Sequence, residues 1–86
     1  MAIDYEEVTK AQRAARAWQT AGDPAQRDIA RRVVDQLEAH ARAEDDRRTV
    51  AELRTAREFL GAHITAGLAD TALEKLAYRL HDESNG

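Results

Sequence analysis

The chain has 86 residues, a formal net charge of -3 and no cysteine. That length makes one domain with a modest core, and the missing cysteines exclude disulfides, thiolate metal sites and cysteine nucleophiles. Charge is mixed along the chain: residues 1–43 carry seven basic and seven acidic groups and residues 44–86 carry six and nine, so neither half is an electrostatic magnet for nucleic acid.

The first helix is predicted over 4–21. Asp4 serves as N-cap, and with Glu7 it makes a variant capping box. Val8, Ala11, Ala15 and Trp18 then recur at alternating three- and four-residue spacing, one buried stripe of a helix. Gly22 ends it. Asp23 and Pro24 restart the chain at once, because Asp caps and Pro suits the first helical position. A very short turn therefore joins the first helix to a second over 24–43, and the two form a helical hairpin.

The second helix opens the longest run without Gly or internal Pro. Its stripe, Ile29, Ala30, Val33, Val34, Leu37 and Ala41, is broad and calls for neighbours on more than one side. Asp28 with Arg32, and Glu38 with Arg42, have the favourable i,i+4 order on its outer face. The charge run at 44–48 reads as a connection. Thr49 and Glu52 form a capping box that opens a third helix over 49–66. Its apolar positions are Val50, Leu53, Ala56, Leu60 and Ile64, with Phe59 on the flank. Gly61 sits inside it, marking close packing or a bend, and Gly67 ends it. Asp70 or Thr71 caps a fourth helix over 70–82, with the stripe Leu73, Leu76, Ala77 and Leu80. The tail at 83–86 is polar and expected to fray. No period-two run reads as a strand.

The expected fold is all-α: a small four-helix bundle in one domain, residues 1–86. The last two helices are possible helix-turn-helix partners crossing at a steep angle. The interior is thin. Ala supplies 18 residues, while Leu, Ile, Val and Phe together supply 15. Alanine faces let helices approach closely but bury little surface each, so self-association as a homodimer is expected to add burial. No run is apolar enough to span a bilayer, and the acidic start MAIDYEEV lacks a signal-peptide pattern. With the missing disulfides, this predicts a cytoplasmic protein. Arg outnumbers Lys 11 to 2, the bias of a GC-rich coding genome.

Chemical signatures are sparse. His40 and Glu44 at i,i+4 could present two ligands on one helix face, a pairing common by chance, and there is no HExxH or Glu-x-x-His repeat. Asp45 and Asp46 are adjacent and solvated, a poor basis for acid–base chemistry. The single serine, Ser84, lies in the tail, and the four glycines form no phosphate loop. No enzyme activity, cofactor or metal is expected. The expected role is a non-enzymatic helical interaction module, such as an adaptor, an inhibitor or a small phage-type modulator of a host protein. It would dock a helix face on a partner protein. The candidate partner-binding residues are Arg16, Trp18, Arg31, Arg57 and Phe59, because Trp and Arg dominate binding hot spots. Trp18 also suits the core, and only an exposed Trp18 or Phe59 beside an arginine would favour this face. The alternative is a small helix-turn-helix regulator that reads DNA with Thr71, Lys75 and Tyr78, although Asp70 and Glu74 beside them would repel phosphate.

Overall fold

The computed structural model describes residues 5–85. Four α-helices occupy most of that span: α1 (Tyr5–Ala21), α2 (Pro24–Ala43), α3 (Arg47–Leu60) and α4 (Ala66–Asn85), with a 3₁₀ turn at His63–Thr65 before α4. There is no strand among the described residues. The expected Asp4 cap lies outside them. A 20-residue helix is about 30 Å long. The longest dimension of the molecule is 36 Å, so the helices must lie side by side.

They do so in an up-down-up-down ring. α1 packs on α2 and α4, and α3 packs on α2 and α4. The pairing between neighbours is antiparallel throughout. Along the α1–α4 seam, Tyr5 meets His81, Gln12 meets Glu74 and Arg16 meets Asp70. Along the α2–α3 seam, Asp35 pairs with Arg57 and Glu38 with Arg54. Arg79, late in α4, reaches Thr49 and Glu52, early in α3. The last contact corrects the expectation of a steep crossing. α3 and α4 run alongside each other, because Leu53, Ala56 and Leu60 on one and Ala69, Leu73, Leu76 and Leu80 on the other are all buried in a single core.

The first hairpin follows from its punctuation. Gly22 has φ +64°, a left-handed conformation that a side chain would strain. Its N–H donates to the Trp18 carbonyl at 2.9 Å. Asp23 then caps α2, its carboxylate accepting the Ala25 N–H at 3.0 Å. At the other end of α2 the Asp45 N–H donates to the Arg42 carbonyl at 3.0 Å, and the Asp46 N–H to the Ala41 carbonyl at 2.9 Å. These paired bonds are a Schellman motif. Its left-handed position, φ 56°, is filled by Asp45, where glycine is the usual residue. Asp45→Gly removes that backbone strain and no buried contact. It is expected to stabilise the fold by about 0.5–1 kcal/mol, read as a raised urea midpoint with unchanged slope.

The bounds of α3 and α4 differ from the predicted 49–66 and 70–82. The cap of α3 is Asp46, whose carboxylate accepts the Thr49 N–H at 3.1 Å and the Thr49 hydroxyl at 2.6 Å. Thr49 is therefore inside the helix and fully buried. The expected capping partner Glu52 turns instead to Arg48 and Arg79. α3 stops at Leu60. Gly61 is not in the helix interior but is its C-cap, and Ala62 is extended. The Thr65 hydroxyl donates to the Phe59 carbonyl at 2.6 Å, occupying a carbonyl at the helix end. Gly67 does not end a helix; it lies in the first turn of α4 beside the Gln19 side chain. Thr71 does not cap α4 either, since its hydroxyl donates back to the Gly67 carbonyl within the helix. The helix continues through Asn85, over most of the expected tail.

The predicted stripes hold on α1, with Ala14 added, and on α4, with Ala66 and Ala69 added. On α2 the buried set is Ala30, Val33, Val34, Leu37 and Ala41, while Ile29 is exposed at its edge. On α3 the set is Thr49, Leu53, Ala56 and Leu60; Val50 is only half-buried. Ile64 was expected in the core and is 90% exposed, because the chain leaves α3 four residues earlier.

Candidate functional site

The five candidate partner-binding residues do not share a face. Arg57 sits on the α2–α3 seam, its Nε 3.0 Å from the Asp35 carboxylate. Nearby, Arg54 and Arg42 both pair with Glu38, at 2.9 and 3.5 Å. Arginines there alternate with acids and are held by them, which leaves a solvated ion-pair lattice and no basic patch. Arg31 is half-buried on α2, with its Nε lacking a hydrogen-bond partner among the described residues. Phe59 is partly buried against the core.

Trp18 is 7% exposed and belongs to the core. Two side chains close over it. The Arg27 guanidinium lies 5.4 Å from the centroid of the indole ring, and the His63 ring meets it edge-on at 5.3 Å. The His63 Nε2 is also 2.6 Å from the Gln19 carbonyl. The 3₁₀ turn is thereby tied to the end of α1. Trp18 consequently stabilises this end of the bundle and offers no exposed ring to a partner.

Arg16 lies elsewhere, on the α1–α4 seam, and there the antiparallel register assembles a site. Tyr5, Thr9, Gln12 and Arg16 from α1 face Glu74, Ala77, Tyr78 and His81 from α4 across a groove of about 450 Å³. Helical spacing explains the set. Residues 5, 9, 12 and 16 follow one line along α1, and residues 74, 77, 78 and 81 follow one line along α4. Both lines border the buried stripes, so the groove floor is apolar at Ala77 and its rim is polar.

Its electrostatics are set by three charges. Arg16 donates from Nε to Asp70 at 3.0 Å and from Nη2 at 3.4 Å. The hydrogen bond and the charge of Asp70, and more weakly the charge of Glu74, raise the Arg16 pKa. Among the described residues, Glu74 has one hydrogen-bond contact in the groove, a long one of 3.4 Å with the Gln12 amide. The rings gather at the other end. Tyr5 and His81 contact at 5.2 Å between centroids with a 52° tilt, and Tyr78 lines the same cavity. Tyr5 is 42% and Tyr78 65% exposed.

The three candidate DNA-reading residues, Thr71, Lys75 and Tyr78, are all exposed on α4. Tyr78 turns toward the groove with Glu74. Tyr5 and His81 were not singled out as site residues, since their meeting depends on α1 and α4 closing the ring. Among the described residues, no three His, Cys, Asp or Glu side chains are grouped to hold a metal ion. No helix among them is long and apolar enough to cross a membrane. No family model, curated protein or solved structure matches the chain.

Proposed function

We propose that the protein is a non-enzymatic helical interaction module that docks a partner protein along its α1–α4 groove. The observation that carries this reading is the pair of exposed tyrosines, Tyr5 on α1 and Tyr78 on α4, that line one groove with Arg16 toward its other end. Tyr and Arg are the side chains most enriched where binding energy concentrates. A tyrosine ring offers large contact area at little cost in side-chain entropy. Arg16 is ion-paired as the arginines of the α2–α3 seam are, so the tyrosines and not the arginine distinguish this groove.

The helix-turn-helix alternative draws no support from an antiparallel α3–α4 pair, since that motif crosses its helices at roughly 90–120°. Retention of duplex DNA at low salt, with a steep loss as salt rises, would count in its favour.

The docking reading is tested by affinity capture from a lysate of the source cells, comparing wild type with a Tyr5→Ala/Tyr78→Ala variant and with Arg57→Ala on the opposite seam. Both tyrosines are exposed, so the double variant should keep its helical circular dichroism. The expected result is a partner protein captured by wild type and by Arg57→Ala but depleted at least about tenfold by the tyrosine variant, as for loss of a hot spot. Equal capture by all three proteins would overturn the groove as the docking site.

A further inference from the structure

The geometry points to a cationic side chain of the partner protein as the occupant of the α1–α4 groove, stacked on the Tyr5, Tyr78 and His81 rings with its charge toward Glu74. This inference rests on the docking reading above and narrows it to one chemistry.

The first argument is charge. Two carboxylates of α4, Asp70 and Glu74, face this seam, against one guanidinium from α1, Arg16. Arg16 is committed to Asp70 through two hydrogen bonds. Glu74 is left with the Gln12 amide at 3.4 Å, a long and weak contact. With Asp70, which borders the groove, occupying Arg16, Glu74 is the carboxylate left over among these described groups, one helical turn from Tyr78 and two from His81. An anionic side chain entering here would meet Glu74 without a free counter-charge from Arg16. An apolar one would leave that carboxylate partly desolvated and poorly paired.

The second argument is the rings. An aromatic face attracts a cation through its quadrupole when the charge lies within about 6 Å of the ring centroid. Tyr5 and His81 contact each other at 52° and 5.2 Å, and both line the groove. Tyr78 supplies a third ring at the same cavity. An arginine fits this set well: its plane stacks on an aromatic face, while its fork takes both oxygens of a carboxylate. The molecule already uses the same pairing elsewhere, with Arg27 over Trp18 at 5.4 Å.

The test is an NMR titration of the intact chain with three blocked tripeptides at matched ionic strength: acetyl-Gly-Arg-Gly-amide, acetyl-Gly-Leu-Gly-amide and acetyl-Gly-Glu-Gly-amide. The expected result is that the arginine peptide shifts the ring resonances of Tyr5, Tyr78 and His81 at millimolar concentration. The leucine and glutamate peptides should bind at least several-fold more weakly. Glu74→Gln should weaken arginine binding about two- to fivefold, the effect of one exposed charge contact. Tyr78→Leu should do the same while Glu74 remains in place. Leucine binding as tight as arginine binding would overturn the cation while leaving the groove as a docking site. Preference for glutamate, indifference to Glu74→Gln, or no ring shift with any peptide up to tens of millimolar would also overturn it. Failure of the docking reading shows separately, as partner capture that survives loss of both tyrosines.

Discussion

Leu73→Ala is expected to destabilise the protein by about 3 kcal/mol, near the middle of the range for truncating a fully buried leucine. Leu73 has no exposed surface, and among the described residues Leu53, Leu60, Leu73 and Leu76 are the largest fully buried side chains. Much of the remaining interior is alanine, fully buried at Ala11, Ala15, Ala30, Ala41, Ala56, Ala66 and Ala69. Alanine draws the helices close but cannot swing a longer side chain into a gap, so the cavity left by Leu73 should persist. A chain of this length has a total stability of about 4–13 kcal/mol. The loss should lower the melting temperature by roughly 12–24 °C. Thermal and urea unfolding followed by circular dichroism check this. Leu68→Ala is the control, since Leu68 is 52% exposed and a surface truncation should cost about 0.5 kcal/mol or less. Equal losses for the two variants would contradict the assignment of Leu73 to the core.

Arg79→Ala is expected to cost about 2–4 kcal/mol, because one side chain satisfies three partners where α3 begins. Arg79 donates to the Thr49 hydroxyl at 2.7 Å and pairs with Glu52 at 2.9 Å and Glu83 at 3.0 Å. Its side chain is only 15% exposed. Burial works against its charge, but the hydrogen bond to Glu83 and the charges of Glu52 and Glu83 outweigh it and raise its pKa. Removing the guanidinium leaves Glu52 with Arg48 alone and takes the donor from the Thr49 hydroxyl, and breaking a part-buried pair from one side is costlier than removing both members. Adding Glu52→Gln to Arg79→Ala should therefore recover part of the loss. Unfolding free energies of the two single variants and the double variant give the coupling directly. Zero coupling would contradict the pairing.

The same cluster sets a direction with pH. Hydrogen bonds from the Thr49 hydroxyl hold the Asp46 carboxyl below its ordinary pKa, with the Thr49 N–H and the charges of Arg79 and Arg48 adding to this against a smaller cost of burial. A carboxyl whose folded pKa is lowered binds its proton more readily when unfolded. Its contribution is present above its unfolded pKa, about 3.9, and is lost as pH falls through the lower folded value. Asp46→Asn should flatten the acid limb of the stability curve below about pH 4.

The groove was less legible than the helices, and particular residues show why. Tyr5 and His81 are 76 positions apart and acquire meaning only when α1 and α4 become antiparallel neighbours. Arg16 and Tyr78 stood out separately, one as a partner-binding candidate and the other as a base reader, and the ring closure brings them to one cavity. By its place on the buried stripe Trp18 suits the core, although its residue type also suits a binding surface. Its burial depends on Arg27 and His63, which arrive from α2 and from the turn before α4.

Local chemistry alone determined the all-helical class, the bounds of α2 and the tight turn before it. Each rests on interactions within a few residues: the stripe at helical spacing, the left-handed Gly22, the Asp23 cap and Pro24 at the first position. Tertiary structure decided where α3 stops and α4 starts. The signals at Gly67 and Thr71 were real helix-terminus patterns, but both residues lie within a helix already begun at Ala66; Thr49 lost the cap of α3 locally, to Asp46 three residues earlier. It also decided the groove, because a binding face made by two helices exists only once the chain has chosen which helices are neighbours.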